Sequence, residues 1–267
     1  MTARGIVFCD ADGTLLDSRH TVLPGTLMAF EALRARGIPM VIVSARSPAG
    51  IRPIQREHDL KGPIAAYSGA LTIDEDQKVI RSVTFPLARA LEIIRFLESL
   101  PQRTVWNLFS DERWLTPDPA DPKVRAEESI VKTSAERYVP GALPEDAGVH
   151  KLLIMDGSDT SPAAEEALRK AFPHVSIRRS SDILIEIMAE GVGKDAAVRD
   201  LCARYGVPPD QAVAFGDQFN DEDMLRAVGT PVVMGNAPRA LKELFPFVTE
   251  DNDHEGIFNA LKKLGMI

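Results

Sequence analysis

The stretch Gly5-Ile-Val-Phe-Cys-Asp10-Ala-Asp12-Gly-Thr14-Leu-Leu-Asp17 constrains this chain more than any other. Its apolar run, Ile6 to Cys9, suits a strand buried on both faces and is too short for a helix. The carboxylates begin where that run stops, and Gly13 lets the backbone turn sharply away. In a parallel α/β sheet, ligand crevices open at the carboxyl ends of the strands, so Asp10 and Asp12 are delivered to such a crevice. Two carboxylates on a turning backbone can divide a reaction, Asp10 attacking an electrophile and Asp12 giving or taking a proton. Taken alone, the short string is accounted for equally well as a polar turn closing a strand.

The rest of the chain repeats the pattern of a buried run ending in polar residues. Pro24 to Gly37 has helical spacing, and Ile38 to Val43 reads as a second buried strand ending in Ser44-Ala45-Arg46-Ser47. Strand, helix and strand make one right-handed βαβ unit, which brings Ser44 beside Asp10. Ser44 and Ser47 are also both suited to capping the helix expected over Ala49 to His58. A short strand, Pro63 to Tyr67, then leads through Ser68-Gly69-Ala70 into a hairpin over Leu71 to Ile80.

Further on, Gly191-Val-Gly-Lys194 opens a helix with a lysine in its first turn. That end of a helix is already positive, so the lysine calls for a neighbouring carboxylate or phosphate. Gln211 to Phe215 is another buried strand, ending in Gly216-Asp217-Gln-Phe-Asn220-Asp221. Asp217 is thereby in place, opposite Asp10, to serve as an oxygen ligand of a hard divalent cation. Asp221 and Asp223 by themselves would also suit the first turn of a helix.

These strings resemble the four motifs of the haloacid dehalogenase superfamily, in its Cof-type phosphatase branch. Asp10-Ala-Asp12-Gly-Thr14 matches the first, Ser44 the second, Lys194 the third and Gly216-Asp217-x-x-Asn220-Asp221 the fourth. Gly235-Asn236-Ala-Pro and the string from Phe247 to Ile257 resemble the branch's C-terminal signature. The resemblance implies a doubly wound, Rossmann-like core and a phosphatase that uses Mg2+ and forms an aspartyl-phosphate on Asp10. It implies that Asp12 is general acid and base, and that Asp10, the carbonyl of Asp12, Asp217 and Asp221 form the metal site. Ser44, Lys194, Asn220 and the backbone N–H groups of Ala11 and Ala45 would hold the phosphoryl oxygens. Two departures stand out: Ala45 replaces the usual glycine after the second-motif residue, and Ser68 replaces the usual asparagine.

At 267 residues the chain accommodates a core and a sizeable insertion. The expected division is 1–82 and 189–267 for the core and 83–188 for an inserted α+β cap that chooses the substrate. Within it, helices are expected over Pro86 to Leu100, Lys123 to Tyr138 and Ser161 to Phe172. Strands are expected at Thr104 to Phe109, His150 to Met155, His174 to Arg178 and Ile183 to Met188. Trp106, Arg113, Trp114, Lys123 and Arg125 are candidate lining residues, although exposed charges and a buried tryptophan need no function. Glu186 alternates with Ile185 and Ile187, which aims it either at an interdomain cleft or at solvent.

A net charge of −8 argues against nucleic acid as partner, because phosphate-backbone binding needs a basic surface. No apolar run is long enough to span a membrane and no secretory pattern precedes the first strand, so a cytoplasmic protein is expected. Cys9 and Cys202 lack metal-ligand spacing and read as core residues. The five histidines have no partners at ligand spacing, and His254 reads as surface loop. The expected partner is a small phosphate ester acted on by a monomer or homodimer. A phosphomutase on the same core, or a phosphometabolite-binding protein without turnover, are the alternatives.

Overall fold

The computed structural model describes residues 5–101, 104–158 and 160–267. In chain order the first elements are β1 (Ile6–Asp10), α1 (Pro24–Ala35), β2 (Met40–Val43), α2 (Pro48–Glu57), β3 (Ile64–Ala66), β4 (Leu71–Ile73) and β5 (Val79–Ser82). There follow β6 (Phe85–Pro86), α3 (Leu87–Glu98), β7 (Val105–Ser110), β8 (Arg113–Thr116), α4 (Pro122–Val131), β9 (Glu136–Arg137), β10 (Gly148–Val149), β11 (Lys151–Met155), α5 (Ser161–Ala171), β12 (Val175–Ser181) and β13 (Leu184–Ala189). The chain ends with α6 (Lys194–Tyr205), β14 (Ala212–Gly216), α7 (Glu222–Arg226), β15 (Thr230–Val233), α8 (Arg239–Lys242) and α9 (Gly256–Lys263). Two compact units result. One comprises Met1–Ala45, Ile51–Arg81 and Gly193–Ile267, the other Arg46–Gly50 and Ser82–Val192.

The first unit is built on a seven-stranded sheet in the order β15-β14-β1-β2-β3-β4-β5. The pairs from β15 through β3 are parallel, and β4 runs antiparallel to β3. From β1 the chain winds outward to β2 and β3, then returns on the other side through β14 and β15. The order of the strands therefore reverses between β1 and β14, the point at which doubly wound sheets bind ligands. Ile6 to Cys9 are fully buried, as a strand covered on both faces requires. Ile6 and Phe8 pack with Val198 and Leu201 of α6 and with Met224 and Leu225 of α7.

The end of the chain is tied to its beginning. Helix α1 starts at Leu23-Pro24 without a side-chain cap of its own. Glu255 supplies one from 230 residues away, accepting hydrogen bonds from Gly25 N (2.7 Å) and Thr26 N (2.9 Å). A carboxylate against a helix N-terminus also complements the dipole there. Asp253 accepts from Ser18 N (2.8 Å), and Asn252 Nδ2 donates to Leu16 O (2.9 Å). The tail thus holds the loop that leaves the first motif.

The departure at Ser68 has a conformational correlate. Tyr67 and Ser68 follow β3 with φ of 50° and 54°, both in the left-handed region. Asparagine adopts that region far more readily than serine, since its short amide side chain tolerates it. Ser68→Asn is expected to recover part of the roughly 1–2 kcal/mol that a left-handed L-residue costs. A rise in the urea midpoint at unchanged slope would register it, and a fall would show that the serine side chain is needed here.

In the second unit a six-stranded sheet runs β12-β13-β11-β7-β8-β9. Its pairs are antiparallel except β8 with β9. Ile93, Ile94 and Leu97 of α3 and Ala164 and Leu168 of α5 pack on Trp106, Leu108, Leu152, Ile154, Ile185 and Ile187. By strand alternation Asn107, Phe109, Lys151 and Glu186 belong to the opposite face. Helix α4 stops at Val131, seven residues short of the expected end, because Lys132 turns into the left-handed region and the chain enters β9. Strand β8 lies between the expected strand at Thr104 to Phe109 and the expected helix from Lys123, where no element was expected. It pairs with β7 at Leu108–Leu115 and Phe109–Trp114.

Every candidate lining residue in this unit has a partner within it. Trp114 Nε1 donates to Asn107 Oδ1 (2.8 Å), Trp106 Nε1 to Glu98 (3.1 Å), and Arg113 pairs with Glu136 (2.7 Å). Arg125 pairs with Glu128, and Lys123 Nζ donates to Met155 O. Glu186 is not a solvent-facing residue: it is buried 3.6 Å from the equally buried Lys151. Alternation assigns a residue to a face but says nothing about whether that face is covered.

Candidate active site

Asp10 closes β1, and Asp217 follows directly on β14, so the two carboxylates stand at adjacent strand ends of the switch point. Asp10 pairs in register with Val43, so that Ser44 is the next residue along the same sheet edge. Lys194 is the first residue of α6, and its side chain is almost completely buried. Its Nζ donates to Asp10 Oδ1 and, at 2.5 Å, to Asp221 Oδ1. The helix-start lysine therefore meets two anionic partners, as its unfavourable position requires.

Asp221 is fully buried, and its second oxygen accepts from the backbone N–H groups of Asp217 and Gln218, both at 3.0 Å. It thereby orders the turn after β14 while anchoring Lys194. Asp217 Oδ1 accepts from Thr14 Oγ1 (3.0 Å), and its Oδ2 accepts from Gln218 Nε2 (3.1 Å) and Asn236 Nδ2 (3.3 Å). The first motif closes tightly on this carboxylate. Gly13 has φ +82°, and a Cβ there would lie 2.5 Å from Asp217 Oδ2. No other residue type meets both conditions.

Charge is unevenly balanced in this buried set. Asp10, Asp217 and Asp221 place carboxylate oxygens within 4.8 Å of one another, with Lys194 the cation that bonds two of them. Burial, reinforced by repulsion from Asp221, holds the Asp10 carboxyl well above its usual range. Burial and the same neighbour push Asp217 up to about 6. Burial alone would depress Lys194, but Asp10 and Asp221 reverse this and hold it protonated. A hard divalent cation fits such a set, because its donors are carboxylate oxygens and its charge removes the repulsion that raises Asp10 and Asp217.

The other candidate residues are placed as follows. Asp12 is exposed, 3.9 Å from His20 Nδ1, in a turn where His20 has φ 58°. Ala11 is buried, and its carbonyl accepts from Leu16 N (2.9 Å). Ser44 is buried, with its N–H donating to Ala65 O (2.9 Å). Ser47, not Ser44, caps α2: its Oγ accepts from Gly50 N at 3.1 Å. Ala45 follows Ser44 and is partly buried, and Asn220 is exposed in the short turn before α7. Burial pushes the Cys9 thiol up, which leaves it an inert core residue beside Asp10. His254 is an exposed loop residue paired with Asp251.

Sequence reasoning passed over two neighbours of the site. His20 carries no ligand spacing and reaches Asp12 only through the left-handed turn. Asn236 was noted for its motif alone, and its position three residues after the end of β15, the strand next to β14, was the signal that could have found it. A separate cavity of about 480 Å3 opens near the amino ends of β2 and β3, lined by Phe30, Met40, Leu60 and Tyr205 among others. It contains none of the chemistry-bearing residues named above.

The doubly wound sheet thus carries a buried Asp–Lys–Asp set beside a further carboxylate at its switch point. The sequence profile of haloacid dehalogenase-like hydrolases matches residues 7–261, and the chain belongs to that family, in its Cof-type branch, as a phosphatase. A Haemophilus influenzae protein assigned to the phosphatases is 36% identical over 251 residues, with 94% of each chain covered. A pyridoxal phosphate phosphatase of Escherichia coli is 26% identical over 279 residues, covering 96% of this chain and 97% of its own. The crystal structure of TM0651 from Thermotoga maritima superimposes with a TM-score of 0.86 at 26% identity, covering 97% of both chains. Among the described residues, no helix is long and apolar enough to cross a membrane.

Proposed function

We propose that the protein hydrolyses small phosphorylated metabolites with the aid of Mg2+ and through an aspartyl-phosphate on Asp10. The observation that carries this reading is the buried Lys194, bonded to both Asp10 and Asp221 beside Asp217. Asp10, held through Oδ1 by Lys194, is the nucleophile. It attacks phosphorus as the bond to the leaving oxygen breaks. Asp12, which is exposed, gives that oxygen a proton. It then takes a proton from water, whose oxygen attacks phosphorus and releases phosphate and Asp10.

Ser44, Lys194, Asn220 and the N–H groups of Ala11 and Ala45 are assigned to the phosphoryl oxygens, whose charge needs fixed donors. Asp10, the Asp12 carbonyl and Asp217 would hold Mg2+, with Asp221 supporting them, and the cation would neutralise the phosphate for attack by an anion. The inserted unit is assigned the choice of the organic group. Sugar phosphates and phosphorylated cofactors are the substrate classes proposed, the latter supported by the relative named for pyridoxal phosphate.

The test is phosphate release from a panel of small esters, with Mg2+ present and after its removal by chelation. Selective turnover that disappears on chelation and returns with Mg2+ is the expected result. Turnover that persists without a divalent cation would overturn the metal assignment. The metal requirement should also steepen in acid. Asp217 must be unprotonated to serve as ligand, so below its value of about 6 the Mg2+ needed for half-maximal rate should rise, by roughly tenfold per pH unit at most.

A further inference from the structure

We infer that Asn236 is a positioning residue for the cation site, and that Asn252 fixes the orientation in which it works. The inference deepens the proposed function and rests on the part of it that gives Asp217 a divalent cation. Asn236 lies just beyond β15, and its Nδ2 donates to Gly13 O (2.8 Å) and to Asp217 Oδ2 (3.3 Å). It therefore joins the turn that carries Asp12 to the carboxylate across the switch point.

The direction of this amide is set by its other end. Asn252 N donates to Asn236 Oδ1 at 3.3 Å, so the oxygen faces the tail and the amino group faces the site. Asn252 is itself held, because its Nδ2 donates to Leu16 O (2.9 Å) in the same loop that leaves the first motif. The amide cannot flip without losing all three contacts around Asn236.

Counting lone pairs shows what the arrangement achieves. A carboxylate oxygen offers two acceptor sites. Gln218 and Asn236 fill both on Asp217 Oδ2, whereas Thr14 fills one on Oδ1. The remaining site is on Oδ1, so the donors select the oxygen that is left for a cation. Removing Asn236 vacates one of the two sites on Oδ2, leaves Gln218 and Thr14 as the side-chain donors to the carboxylate, and breaks its link to the Gly13 carbonyl. Partners of this kind, which orient a ligating carboxylate without touching the metal, typically govern metal affinity by one to two orders of magnitude.

The experiment titrates the protein with Mn2+, a spectroscopically visible substitute for Mg2+, and reads the free ion by electron paramagnetic resonance. It is run on the wild type, Asn236→Ala and Asn252→Ala. Thermal melts establish that each variant is folded. Asn236→Ala is expected to weaken Mn2+ binding by about tenfold, and Asn252→Ala to weaken it less but in the same direction. At saturating Mg2+ the KM for an ester should stay within about twofold of wild type, a split that general loosening of the fold would not produce.

Mn2+ affinity in folded Asn236→Ala equal to wild type would overturn the inference. If that variant does not fold, unchanged affinity in Asn252→Ala overturns it instead. A wild-type protein that binds no Mn2+ overturns it as well. A wild type that binds Mn2+, shows the Asn236 effect and releases no phosphate from any ester would sink the phosphatase mechanism alone and leave this inference standing.

Discussion

Asp10→Asn is expected to abolish phosphate release, by roughly a thousandfold or more, while leaving the protein at least as stable as wild type. The two halves of this result have a common origin. The amide keeps the size of the carboxylate but cannot attack phosphorus, so the covalent route is closed. In the metal-free fold, however, Asp10 is one of three buried carboxylates that repel one another. Removing its charge leaves Lys194 paired with Asp221 and relieves that repulsion, as expected where a functional site is held at a cost in stability. Phosphate release from the best ester and a thermal melt in chelator check the pair of outcomes. Near-wild-type turnover would overturn the nucleophile assignment, and a large fall in the melting temperature would show that the Asp10–Lys194 bond is a net stabiliser.

The second large effect is the opposite case. Lys194→Met should remove both activity and stability, because it leaves Asp10 and Asp221 buried without their cation. Breaking a buried pair on one side costs about 3–5 kcal/mol. The loss should depend on pH in a definite direction. Burial already raises Asp10 above its unfolded value, and removing Lys194 raises it further, since the lysine is one of the groups that lower it. A carboxyl with a raised folded value binds more protons when folded than when unfolded, so its contribution to stability grows as pH falls and is lost as pH rises through the folded value. The deficit of the variant relative to wild type should therefore be greatest near neutral pH and narrow toward pH 5. Urea unfolding of both proteins across that range measures it. A deficit independent of pH would mean that lost packing, and not uncompensated charge, is the cause.

The core was legible because its chemistry is placed by strand ends. Asp10, Ser44 and Asp217 each follow an apolar run that is too short for anything but a buried strand, and a βαβ order leaves few ways to arrange those strands. Lys194 was legible for a different reason: a cation at the start of a helix conflicts with the local field, and the conflict itself predicts an anionic neighbour. The tail was not legible in this way. The contacts of Glu255 with Gly25, and of Asn252 with Leu16, join loops more than 200 residues apart, and no local pattern encodes them. His20 escaped notice because its approach to Asp12 depends on a backbone angle, which spacing does not reveal. In the inserted unit the charged run from Lys123 hid the end of α4, since charge marks exposure equally well in a helix, a turn or an edge strand. Glu186 shows the limit of alternation. The period of two identified its face correctly, and only the packed structure shows the face to be covered.

The strand that ends in Asp10 comes early in the chain and lies in the middle of the sheet, where one of its two neighbours, β14, is made some 200 residues later. Thr14 and Asp217, which meet at 3.0 Å, are 203 positions apart. At ordinary rates of translation that interval lasts on the order of ten to forty seconds. During it β1 has an open edge, Asp10 has neither Lys194 nor Asp217 beside it, and α1 lacks the carboxylate that closes its first turn. A growing chain on the ribosome thus carries an Asp10 without its partners and a β1 strand with one edge still open. Competence arrives late, with the last third of the polypeptide, so that hydrolytic capacity and protection of that edge are acquired together.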